Sequence, residues 1–219
     1  MTTNNSLSAR AEILQKIRIS NDLASDAATA QSAWSDLPRD YKRSSTLAHN
    51  AVLDLLADRL HDYDAQVLRS TLADLPRSIA AMLSARSIQR LVVPTGLPPE
   101  WLPRGFIFTP DDSLSSAELD RFDGVLTAST LAIAETGTVV LQNVPGQGRR
   151  AISLVPDYHL CLVRSQDVVE TVPEAMARLQ PTAALPTTFV SGPSATADIE
   201  MTRIKGVHGP RFLDVILIV

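Results

Sequence analysis

Apolar and small residues at Leu7, Ala11, Leu14 and Ile17 recur at spacings of four and three, the mark of a single helical face. A second face of this kind reads Leu47, Ala51, Val52, Leu55, Leu56 and Leu60. Between the two, residues 20–40 are rich in alanine, serine and aspartate, and Trp34 is their one aromatic side chain. That stretch reads as an irregular or partly helical arm, with Trp34 as the anchor that docks it onto the domain or onto a neighbouring subunit. From Leu75 the pattern changes to alternating helix and strand. Leu75, Ile79, Met82 and Leu83 fit a helix that leads into the strand-like Leu91-Val92-Val93, which ends at Pro94. Further strands are predicted at 106–108, 124–127, 132–134, 138–141, 152–154, 160–163, 188–191 and 213–219. Ser115 with Glu118 and Thr171 with Glu174 have capping-box spacing, the second with Pro173 in the first helical turn. The close strands between 124 and 163 read as a stretch containing a hairpin.

This order predicts an α/β protein, an open layered sheet flanked by helices. The division is an N-terminal helical arm over 1–42 followed by one domain over 43–219. A net charge of −4 on 219 residues offers no basic footprint for nucleic acid. The opening residues lack the charged and apolar regions of a secretion signal, so the expected location is cytoplasmic. The longest apolar run, 215–219, is far too short to cross a bilayer and reads as a buried final strand. The single cysteine, Cys161, cannot hold an iron–sulfur cluster, which needs several thiolates. Lying in the strand-like H-L-C-L-V, it reads as a buried structural residue, and His159 beside it as a structural histidine.

Two dense stretches carry the candidate chemistry. The first, S-G-P-S-A-T-A-D-I-E-M-T-R-I-K-G-V-H-G-P at 191–210, packs three glycines, two prolines and many charged groups between two apolar runs. Pro193, with Ser191 or Gly192 as cap, predicts a helix start there, whose free N–H groups would favour an anion. The second, A-E-T-G-T at 134–138, sets Glu135 between two strand-like runs, where a carboxylate needs hydrogen bonds, a cation or a solvated cleft. Glu135 is a candidate base or nucleophile. Thr136 and Thr138 are candidate hydroxyl donors, and Gly137 would let a ligand or a backbone come close. Gly192, Ser194 and Thr196 would bind a carboxylate or phosphate, with Asp198 nearby and Arg149 and Arg150 adding positive charge. His208 is a candidate ligand or proton-transfer group. Each has a plainer alternative: Asp198 and Glu200 solvating a helix or pairing with Arg203, His208 capping backbone carbonyls, Arg149 and Arg150 in a solvated loop. G-Q-G-R-R-A at 146–151 matches a permissive dinucleotide pattern, but the residues after it read as strand rather than helix.

These motifs resemble the lactate-utilization protein C family, whose members carry the LUD (lactate utilization) domain. The resemblance rests on A-E-T-G-T, Gly148-Arg149-Arg150, L-V-P-D-Y-H at 154–159, S-G-P-S-A-T-A-D-I-E at 191–200, G-V-H-G-P at 206–210 and the opening helix from Ala9 to Arg18. It implies the NagB/RpiA/CoA-transferase-like architecture. It also implies a component of an L-lactate utilization system, in which lactate is oxidised to pyruvate and iron–sulfur partner subunits carry the redox centres. This chain would then hold no cofactor or metal and would be an accessory or small-carboxylate-binding subunit, alone or as a homo-oligomer. The alternative is a stand-alone CoA-transferase-like or sugar-phosphate-type enzyme that uses Glu135. In sheets of this kind ligands sit outside the carboxyl ends of the strands, so both dense stretches are expected in strand-end loops of one shared cleft.

Overall fold

Two long apolar strands organise the molecule, because their neighbours bury them on both faces. The computed structural model describes residues 8–20, 27–196, 204–206 and 208–219. It comprises two compact units, Met1–Tyr41 and Lys42–Val219. In the first unit lie α1 (Ala9–Ser20) and α2 (Ala27–Ser35). α1 buries none of its residues, and Trp34 is capped by the Arg39 guanidinium 4.9 Å from its ring centre. Leu7, part of the expected first face, lies outside the described residues.

The second unit runs α3 (His49–His61), β1 (Val67–Ser70), α4 (Leu75–Ala85), β2 (Arg90–Val93), β3 (Ile107–Pro110), α5 (Ser116–Leu119), β4 (Gly124–Ala128), β5 (Leu131–Ile133) and β6 (Thr138–Gln142). It continues with β7 (Tyr158–Arg164), β8 (Val168–Val169), α6 (Val172–Leu179), β9 (Thr187–Ser191), β10 (Ala195–Thr196), β11 (Ile204–Lys205) and β12 (Phe212–Ile218). Six strands form a parallel sheet in the order β1-β12-β7-β4-β2-β3. A smaller mixed sheet has the order β8-β5-β6-β9, and β10 pairs with β11. The open layered sheet flanked by helices is thus the architecture found.

Alternation along the central strands sorts their side chains into two cores. Leu160 and Leu162 of β7 and Ile216 and Ile218 of β12 pack with Leu75, Ile79 and Leu83 of α4. On the other face, Cys161, Val163, Leu213, Val215 and Leu217 meet Val52, Leu56 and Leu60 of α3, joined by Ala132, Val139 and Val168 of the small sheet. The far side of the small sheet rests on α6 through Leu131, Ile133, Val140, Ala175 and Leu179. Both predicted capping boxes form: Ser115 caps α5 with Glu118, and Thr171 caps α6 with Glu174.

One buried ion pair ties the α4 face together. Asp214 of β12 is fully buried, and its carboxylate accepts from Arg86 Nε at 3.0 Å, Arg86 Nη2 at 2.9 Å and the Gln66 amide at 2.8 Å. Among the described residues the hydroxyl of neighbouring Tyr158 makes no well-formed hydrogen bond, and burial together with the nearby Asp214 carboxylate pushes its pKa up.

Two local expectations are corrected. Residues 152–154, expected to form a strand, lie instead at the end of a short 3-10 helix over Arg150–Ser153 and in the turn that follows it, because the chain must turn back after Gly148 to enter β7. Residues 195–196, expected to lie in a helix behind Pro193, instead form the short strand β10 paired antiparallel with β11, so among the described residues no helix starts behind Pro193.

Candidate functional site

The two dense stretches occupy the same end of the small sheet, because β6 and β9 are antiparallel neighbours that pair Thr138 with Ser191. Three hydroxyls run in a row across that pairing: Thr136 Oγ1 to Thr138 Oγ1 at 2.7 Å, and Thr138 Oγ1 to Ser191 Oγ at 2.7 Å. Both glycines of the motifs press on the end of α3. A Cβ on Gly137, where φ is +57°, would stand 2.9 Å from Arg59 Cβ. One on Gly192, where φ is +82°, would stand 2.6 Å from Cγ of Tyr63. Both glycines therefore make their close approach to protein, at the end of α3 and just beyond it. Gly192→Ala is expected to lower unfolding stability by about 2–3 kcal/mol, combining a left-handed conformation with a clash against a packed ring. Gly105→Ala, at a φ of +93° with nothing within 4 Å, isolates the conformational part, and denaturant unfolding of both variants compares them. Equal losses would show that the Tyr63 ring is not what excludes a side chain at 192.

Glu135 is occupied elsewhere. Its Oε1 lies 3.1 Å from Lys42 Nζ, and the same ammonium hydrogen-bonds Glu170. Glu170 is 1% exposed and also accepts from Ser45 Oγ at 2.6 Å and from the amides of Thr46 and Leu47 at 2.9 and 3.0 Å. Lys42, Ser45 and those amides hold the Glu170 pKa down at about 2, and the two carboxylates raise that of Lys42. Glu174 accepts the Ser45 amide at 2.9 Å, so residues 42–47 form a strap seated on three acids, Glu135, Glu170 and Glu174. Nothing local in the sequence signals this cluster, since Lys42 and Glu170 stand 128 residues apart.

The Ser191 loop instead lines a cleft of about 180 Å³. Arg150, Ser153, Ser191, Ser194 and His208 supply its polar groups, with Gly192 in the wall and buried His159 beneath. The loop is knit to the segment before β12. Ser194 N donates to Pro210 O at 2.8 Å, Gly206 N donates to Ser194 O at 2.9 Å, and Ser194 Oγ accepts from His208 N at 3.2 Å. Arg150 uses Nη1 to reach Ser153 O at 3.2 Å and Ser153 Oγ at 3.0 Å. Among the described residues no carboxylate pairs with it, and burial lowers its pKa. A guanidinium stays charged under that pressure and keeps unused donors in a planar fork. His159 shares a 2.8 Å hydrogen bond with Thr127 Oγ1, and burial, with the charge of Arg150, lowers its pKa to about 4. The Cys161 thiol is pushed up to about 12 by burial, so it is an inert core group rather than a nucleophile.

Of the residues singled out in the sequence, Arg150, Gly192, Ser194 and His208 meet at this cleft. Thr138 and Thr136 reach its edge through Ser191. Arg149 points elsewhere: it grips Asp111 with Nε at 2.7 Å and Nη2 at 2.8 Å, and also bonds Leu114 O, tying the loop before α5 to the connection between β6 and β7. Glu135 does not line the cleft. Thr196 lies in β10 and its side chain is not described, and Asp198 lies outside the described residues. Ser153 and His159 were not singled out as site residues, the first because it sat in an expected strand. The cleft also stands beside the amino ends of β7 and β12, at His159 and Leu213, not outside their carboxyl ends as expected.

An open parallel α/β sheet with a small polar, cation-bearing cleft between it and a second sheet is the class of protein these features define. The chain belongs to the LUD domain family, which it matches over residues 106–218. It is 42% identical over 181 residues to lactate utilization protein C of Deinococcus radiodurans, covering 81% of this chain and 84% of that protein. To lactate utilization protein C of Anoxybacillus flavithermus it is 29% identical, covering 88% and 92%. A crystal structure of a DUF162 family protein from Deinococcus radiodurans superposes with a TM-score of 0.70 at 40% identity, covering 79% of this chain and 99% of that one. The family resemblance read from the motifs is therefore correct. Among the described residues no helix is long and apolar enough to cross a membrane.

Proposed function

We propose that this chain serves lactate utilization in the cytoplasm as a subunit without redox centres, holding a small carboxylate such as L-lactate or pyruvate in the Arg150 cleft. Iron–sulfur partner subunits carry the electrons. The lactate part of this reading rests on the names of the relatives. The carboxylate part rests on one observation: the Arg150 guanidinium, which pairs with no carboxylate among the described residues, shares a cleft of about 180 Å³ with serine hydroxyls. A planar carboxylate accepts two parallel hydrogen bonds from such a fork. The cleft is smaller than the ~300–1,000 Å³ of pockets for drug-sized ligands, which suits a metabolite of a few heavy atoms. Ser153 holds the guanidinium in place, and Ser191 and Ser194 are positioned to bond the ligand's remaining oxygens. The single thiol, buried as Cys161, leaves electron transfer to other chains.

Calorimetric titration of the purified chain with L-lactate and with pyruvate tests the site. Saturable binding is expected, weakened by about 10- to 100-fold in Arg150→Met, the range for losing a charged hydrogen bond. Glu135→Gln is expected to bind as the parent does. Binding that is indifferent to Arg150, or absent for both acids, overturns the ligand assignment. Failure to co-purify with cysteine-rich iron–sulfur proteins from lactate-grown cells overturns the assembly.

A further inference from the structure

The strand order creates a second location that the Arg150 cleft does not use. The chain leaves β2 for the outer strand β3, while β4 pairs on the opposite side of β2. Connections diverge there, and in open parallel sheets the crevice outside the carboxyl ends at such a switch point is where ligands bind. A cleft of about 230 Å³ lies at that place. Its walls come from the loop after β2 (Leu97, Pro98, Trp101) and from the ends of β4 (Ser129), β7 (Arg164) and β12 (Ile218). It shares no lining residue with the Arg150 cleft. From His159 in one to Arg164 in the other, β7 rises five residues, roughly 16 Å.

Three loops are locked together around this cleft. Gly146 N donates to Thr95 O at 2.7 Å, Ala128 N donates to Gly146 O at 2.8 Å, and Ser129 Oγ donates to Leu162 O at 3.1 Å. Its charged groups are Arg164 and Asp167, which form no ion pair with each other or with any other described residue. The Arg164 guanidinium stands 5.8 Å from the ring centre of Trp101, itself 8% exposed. A cation resting on an aromatic face, beside the apolar surfaces of Leu97, Pro98 and Ile218, pairs one charge with one flat apolar wall.

We propose that this switch-point cleft is a second binding site, for a small organic anion whose carboxylate or phosphate pairs with Arg164 and whose flat apolar body lies against Trp101. Asp167 at the rim disfavours a ligand carrying further negative charge and favours one with a hydrogen-bond donor beside the anion.

The test uses the full chain carrying Trp34→Phe, which leaves Trp101 as the sole tryptophan and its emission as the readout. Benzoate and phenyl phosphate are the probes, with inorganic phosphate as the anion lacking an apolar body. At least one aromatic probe is expected to change Trp101 emission saturably and at least tenfold more tightly than inorganic phosphate. The affinity is expected to fall at least tenfold in Arg164→Met and to be unchanged in Arg150→Met. Arg164 is exposed, so its replacement leaves the core intact. A larger response to benzoate assigns the anion as a carboxylate, and a larger response to phenyl phosphate as a phosphate ester, both within the proposal. No saturable change with either probe, equal affinity in Arg164→Met, or loss of binding in Arg150→Met overturns it.

Discussion

Replacing Asp214 with alanine is expected to lower the free energy of unfolding by about 3–5 kcal/mol, the range for removing one partner of a buried ion pair. The carboxylate is fully buried and is the common acceptor for both edges of the Arg86 guanidinium and for the Gln66 amide. Its removal strands a cation that is 20% exposed and leaves a backbone donor without a partner. The pair joins the end of α4 to the middle of β12, so the loss falls on the global transition rather than on local fraying. Denaturant unfolding of Asp214→Ala measures it. A companion variant, Arg86→Met with Asp214→Leu, should recover most of the loss, because it removes both charges together. A loss below about 1 kcal/mol in the single variant would mean that water reaches this pair.

The second large effect is acid sensitivity centred on His159. Its pKa is about 4 in the fold against 6.5 for an ordinary imidazole, because the ring is buried and lies near the charge of Arg150. Between those two values the unfolded chain binds a proton at this site and the folded chain does not. Stability therefore falls as the pH drops from 6.5 towards 4, by about 3 kcal/mol across the window, and is unaffected by this group above it. In His159→Gln that part of the pH dependence should disappear while the rest remains. Denaturation midpoints at pH 7, 6, 5 and 4 for both proteins give the difference. Parallel curves would show that the imidazole is hydrated in the folded state.

What the sequence conveyed and what it hid follow from how local each signal is. α4, β7 and β12 were legible because seven or more residues repeat one period, and both capping boxes because their partners lie three residues apart. β1 was not legible. Val67–Ser70 contains an arginine and has only two apolar positions, and it becomes a strand because β12 offers it a parallel edge. Residues 152–154 misled in the opposite sense, since A-I-S-L-V at 151–155 suits a strand as well as a tight helical turn, and only the path into β7 decides between them. At the site, Arg150, Gly192, Ser194 and His208 were recognisable from their dense surroundings. The separation of Arg149 from Arg150 was hidden, because it depends on Asp111, 38 residues away. The occupation of Glu135 by Lys42 was hidden for the same reason, across 93 residues.

Gly137 and Gly192 bear on the last turn of α3 and the residues just beyond it, and the hydroxyls of Thr136, Thr138 and Ser191 fasten one loop to the other. The helix end thereby acts as a fixed jaw against which hairpin and loop are set as a single plate. The wall of the neighbouring cleft at Gly192 is therefore backed by side chains that do not line it. If the proposed carboxylate binds there, changes around Arg59 and Tyr63 would tune which acids enter without altering any group that touches them.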